Sequence, residues 1–63
     1  MLATAVRNTT VEEMMRLKAG DRFVINGKRY TASSDAHIPE DASYDGYMVL
    51  DEDGESWFDS DFA

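Results

Sequence analysis

The dipeptide Asn26-Gly27 sits between two β-prone runs, Arg22-Phe23-Val24-Ile25 and Lys28-Arg29-Tyr30-Thr31-Ala32-Ser33. A two-residue type I′ turn needs positive φ at both central positions, and Asn-Gly supplies it at the least steric cost. The pair therefore fixes a hairpin and its register. Side chains alternate across a strand, so Phe23, Ile25, Tyr30 and Ala32 are expected on one buried face, with Arg22, Lys28 and Arg29 near the hairpin and partly exposed.

Upstream, Thr10 followed three residues later by Glu13 fits a capping box, in which each side chain satisfies an orphan amide at a helix start. Glu12 and Glu13 suit the positive end of the helix dipole, and Arg16 and Lys18 suit the negative end. Val11, Met14, Met15 and Lys18 recur at helical spacing, and Gly20 supplies a stop. These signals predict a short helix over Val11–Lys18. Ala3–Arg7 reads as an edge strand or a loose terminus. Downstream, Ser34–Gly46 is an irregular stretch with Pro39, and its length marks it as functional or mobile. A second hairpin follows: Tyr47–Leu50, a turn at Asp51-Glu52-Asp53-Gly54, and Glu55–Asp59. Ser60–Ala63 reads as a tail that Phe62 can anchor.

The expected fold is thus mainly β with one short N-terminal helix, a single domain over residues 1–63 with four or five short antiparallel strands. Thr10-Val11 and the run Leu17-Lys18-Ala19-Gly20-Asp21-Arg22-Phe23, continued by Gly27-Lys28 and Tyr30-Thr31, resemble the opening of small Src-homology-3-like barrels found among phage and bacterial accessory proteins. The resemblance covers residues 10–31, about a third of the chain. It implies a half-open barrel, and it is almost silent on function because such folds host many unrelated tasks.

The chain has 63 residues, too few for a large cleft within one core; a domain of this size buries only about 60% of the surface its unfolded form exposes. Self-association would relieve that shortage. There is no cysteine, which excludes disulfide scaffolds and zinc ribbons. No apolar run is long enough to cross a bilayer, and Arg7 interrupts Met1–Val6 before a signal-peptide core forms. A cytoplasmic location is the expectation.

The net charge of −7 is divided along the chain. Residues 1–30 hold all six basic side chains against three acids, while residues 31–63 hold ten acids and no lysine or arginine. The boundary falls inside the return strand of the first hairpin, so both signs belong to one domain. Such blocks mark a solvated or an interacting surface. Interleaved aromatics favour interaction, because acids steer an encounter while buried aromatic anchors supply binding energy. The candidate partner-binding residues are Tyr47, Asp51, Glu52, Asp53, Glu55, Trp57, Phe58 and Asp59. Trp57 and Phe58 are adjacent in a strand and must face opposite ways, one into the core and one outward or covered.

Catalytic and metal chemistry find little footing. The run Asp51-Glu52-Asp53-Gly54-Glu55 departs from a calcium loop, since Gly falls at the fourth position where the sixth is required. His37 is the only histidine and lacks fixed co-ligands. No cofactor and no enzyme activity are expected. Direct nucleic-acid binding conflicts with the negative field, despite Arg22, Lys28 and Arg29. The expectation is a small acidic accessory protein of the phage or prophage type, acting in the host cytoplasm. It would bind a host protein and inhibit it by imitating nucleic acid; the alternative is a self-associating structural module, a homo-oligomer in which the basic half of one copy meets the acidic half of another.

Overall fold

The computed structural model describes residues 7–40 and 44–62. In chain order it contains helix α1 (Val11–Met14), strands β1 (Arg22–Ile25), β2 (Lys28–Thr31), β3 (Met48–Leu50) and β4 (Ser56–Phe58), and a closing 3₁₀ turn over Asp59–Asp61. Of Ala3–Arg7, expected as an edge strand or a loose terminus, residues 3–6 lie outside the described residues, as does Asp41 of the long loop.

The first hairpin has the expected register, with Phe23 opposite Tyr30 and Ile25 opposite Lys28. Asn26 and Gly27 take φ of 51° and 79°, as a type I′ turn demands. Asn8 Oδ1 accepts the Gly27 amide at 2.9 Å, which ties the incoming chain to the turn. The second hairpin pairs Met48 with Phe58 and Val49 with Trp57. Its ladder extends beyond the strands through Asp51 N–H to the Glu55 carbonyl (3.0 Å) and Asp59 N–H to the Tyr47 carbonyl (3.0 Å).

The two hairpins form separate two-stranded sheets. An isolated bridge, Ala32 with Asp51, joins them, and a second, His37 with Met48, ties the intervening loop to β3. No closed barrel is present among the described residues. The long loop is fastened by the second bridge, where His37 and Met48 exchange both backbone bonds at 2.9 and 2.7 Å.

The helix is shorter than its periodicity predicts. Its start forms as expected: Glu13 N–H donates to Thr10 Oγ1 at 3.2 Å, and Thr10 N–H donates to Glu13 Oε1 at 3.0 Å. After Met14 the chain tightens, with Arg16 N–H bonded to the Glu13 carbonyl and Leu17 N–H to that of Met14, each at 3.1 Å. Three residues per turn stack positions i and i+3, so Leu17 joins Met14 in the core and Met15 is left exposed. Long-range partners then outbid the helix for the backbone. Ala36 N–H donates to the Leu17 carbonyl (2.9 Å), Ala19 N–H to Asp35 Oδ1 (2.9 Å) and Gly20 N–H to the Ala32 carbonyl (2.8 Å).

The core lies between these pieces. Met14, Phe23 and Val49 are fully buried, with Leu17, Ile25, Ala32 and Phe62 around them. Phe62 sits 5.6 Å from the Phe23 ring, so the C-terminal segment is a wall of the core and not a free tail.

Candidate functional site

The turn between β3 and β4 places the expected residues at different depths. Asp51 follows Val49 by two positions and so points to the same, inner side of its strand. It is 3% exposed. Its Oδ1 accepts the amides of Asp53 (2.8 Å) and Glu55 (2.9 Å), and its Oδ2 accepts the Trp57 indole N–H at 2.9 Å. The Trp57 bond, opposed by burial and aided by the turn amides, holds the Asp51 carboxyl below its ordinary range. The Asp51 side chain therefore serves the turn and is not presented to a partner.

Glu52, Asp53 and Glu55 are exposed around it. Gly54, with φ of 83°, lets the chain reverse, and its amide donates to the Asp51 carbonyl at 3.0 Å. Three carboxylates are thus displayed on a turn whose backbone is bound from within.

The aromatics are half-buried. Trp57 packs on the core and lies 4.8 Å from Tyr30, whose ring stacks 5.5 Å from Phe23. Phe58 faces the other way, as adjacency in a strand requires, and is covered edge-on by Tyr44 at 4.9 Å. Tyr47 packs against the core. Asp59 is half-buried and joins these pieces: the Tyr44 hydroxyl donates to its Oδ1 and the Tyr47 amide to its Oδ2. The Asp59 carboxylate raises the Tyr44 hydroxyl above its ordinary range. Asp51 and Asp59 are thereby structural carboxylates at the two ends of the second hairpin, while the displayed acids lie in its turn.

A cleft of about 350 Å³ opens beside the turn, with Arg22, Arg29, Tyr30 and Thr31 on one side and Glu52 and Asp53 on the other. Among the described residues the one ion pair is Arg7 with Glu13, at 2.8 Å, so the charges across the cleft stand apart. The sequence places Arg22 and Arg29 beside the first hairpin without naming what they face. Their meeting with the acidic turn depends on the Ala32–Asp51 bridge, which no local pattern announces.

His37 is exposed, and its Nδ1 lies 2.8 Å from the Asp35 carbonyl. Among the described residues no group of three or more His, Asp or Glu side chains is arranged to hold a metal ion. No helix among them is long and apolar enough to cross a membrane. No protein family, curated protein or solved structure matches the chain.

Proposed function

We propose that this protein is a small acidic binding module that docks, through the β3–β4 turn, on a protein partner with a basic surface. The observation that carries the reading is the division of labour within one acidic run. Asp51 is turned inward and bonded three times, and this holds Glu52, Asp53 and Glu55 outward on a fixed backbone. A solubilising face needs no such internal support, whereas a preorganised turn loses less entropy on binding. Exposed carboxylates on a chain of net charge −7 attract a basic partner over a Debye length of about 8–10 Å, which raises the association rate.

A partner that normally holds nucleic acid has such a basic surface, and occupying it would inhibit that partner. The resemblance of residues 10–31 to small accessory barrels bears on the scaffold alone, with the bridged hairpins read as a half-open form of the Src-homology-3 kind.

Affinity capture from a bacterial lysate at low and moderate salt tests the proposal. The native protein should retain a discrete basic partner that the Glu52→Lys, Asp53→Lys, Glu55→Lys variant loses, and retention should weaken as salt rises. Equal retention by both proteins, or no discrete partner at either salt, contradicts it.

A further inference from the structure

The cleft beside the turn contains a strand edge left unpaired. In the first hairpin, Ala32 N–H donates to the Asp21 carbonyl at 2.7 Å. The same alternation carries through Phe23–Tyr30 and Ile25–Lys28, so the backbone groups of Arg22, Val24, Arg29 and Thr31 point away from the partner strand. On the β1 side Val24 is occupied: Thr9 N–H donates to its carbonyl (3.0 Å), and its amide donates to Thr9 Oγ1 (2.8 Å). On the β2 side the Thr31 carbonyl accepts the Glu52 amide at 3.1 Å. The β3–β4 turn then curls back through Gly54 and leaves the edge at that point. The amide and carbonyl of Arg29, and the amide of Thr31, consequently point outward from the edge of β2, at residues that line the cleft, without a protein partner among the described residues.

The walls on either side carry opposite charge. Arg22 and Arg29 lie diagonally on one face of the hairpin and both line the cleft; Glu52 and Asp53 line it from the turn. Neither pair neutralises the other within 4.0 Å. We propose that this cleft seats an extended segment of the partner protein, which adds to the outer edge of β2 through the Arg29 backbone. Its acidic side chain meets Arg22 and Arg29, and its basic side chain meets Glu52 and Asp53. Strand addition supplies main-chain hydrogen bonds, and the flanking charges select a segment of mixed sign and set its direction. The inference rests on the binding reading above and narrows it, because a purely basic partner surface would leave the two arginines opposed by like charge.

The test uses ¹⁵N-labelled protein and the capped peptide acetyl-Thr-Glu-Val-Lys-Thr-amide, together with two versions N-methylated at Val or at Lys. Successive amides of a strand point to opposite edges, so one methyl group must remove a bond to Arg29 and the other must not. The parent peptide should shift the Arg29, Thr31, Glu52 and Asp53 amides and slow hydrogen exchange at Arg29. One methylated version should lose this binding and the other keep it. Arg22→Glu with Arg29→Glu should weaken the parent peptide by about tenfold or more, with Trp57 fluorescence unchanged as evidence of a native fold.

No shift at the cleft with millimolar peptide overturns the inference. Equal binding of both methylated versions also overturns it, as ionic adhesion only. The same amides shifting with protein concentration alone would assign the cleft to a second copy of this chain and overturn it as well. The two readings fail separately. Peptide binding without lysate capture removes the acidic-turn reading and keeps the cleft; capture that survives the double arginine reversal, with no peptide binding, removes the cleft alone.

Discussion

The indole N–H of Trp57 donates to Asp51 Oδ2 at 2.9 Å, across the turn from the two amides that Asp51 Oδ1 accepts. One carboxylate thus sets the turn, the orientation of Trp57 and, through the Ala32–Asp51 bridge, the junction of the two sheets. Asp51→Asn keeps the shape but turns an NH₂ group toward at least one donor. A buried donor left facing another donor is costly, and in a chain this small the melting midpoint should fall by ~10 °C or more. Thermal unfolding followed by Trp57 fluorescence measures it. Asp53→Asn, at an exposed neighbour, should leave the midpoint nearly unchanged; equal losses at the two positions would refute the assignment.

Phe62 belongs to the core despite lying next to the C-terminal residue. It is 8% exposed and packs on Phe23. Truncating a buried Phe to Ala typically costs about 3–5 kcal/mol, a large share of the stability of a small domain. Phe62→Ala should therefore populate the unfolded state measurably at 25 °C in urea titrations, whereas Ser60→Ala should not. A native-like midpoint for Phe62→Ala would mean that the C-terminal segment packs only loosely.

The first hairpin offers a backbone test free of packing effects. A Cβ on Gly27 would meet nothing within 4 Å, yet its φ is 79°. Gly27→Ala should thus cost only the left-handed penalty, about 1–2 kcal/mol. Chemical denaturation should show that loss with an unchanged urea dependence. Gly46 is the contrasting case, because a Cβ there would collide with the Asp59 carboxylate and the Tyr44 ring. Gly46→Ala should instead disturb the Tyr44–Asp59 bond.

What the sequence made legible was local. Asn26-Gly27 specified a hairpin through backbone angles, and Thr10 with Glu13 specified a helix start through two short-range bonds, and both are present. The helix end was not legible, because Asp35, Ala36 and Ala32 take over the backbone of residues 17–20 from far along the chain. Within the acidic run, chemically similar residues play opposite parts. Two-residue alternation from Val49 could have singled out Asp51 as the inward one. The cleft was beyond local reasoning, since it forms only where the two hairpins part after Thr31 and Glu52.

Acid titration separates the paired carboxyls from the rest. The Arg7 guanidinium, bonded through both nitrogens at 3.0 and 2.8 Å, together with the Thr10 amide, holds the Glu13 carboxyl down to about 2 from an ordinary 4.5. The Asp51 carboxyl is also lowered, chiefly by Trp57. In the unfolded chain both take up protons at their ordinary values, so as pH falls below about 4.5 the unfolded state binds more protons than the folded one. The stability they contribute is complete above that pH and is lost as pH falls through their lowered folded values, about 2 for Glu13. Glu13→Gln keeps an acceptor for the capping box but removes the charge. It should lower the urea midpoint at neutral pH and converge with the native protein near pH 2. Arg7 and Glu13 are 70% and 44% exposed, so the difference at neutral pH should be small and should shrink further in high salt. Asp51→Asn should flatten the acid slope irrespective of salt, because its partners are amides and an indole inside the fold. A salt-sensitive slope for Asp51 with a salt-insensitive one for Glu13 would reverse the roles assigned to the two carboxyls.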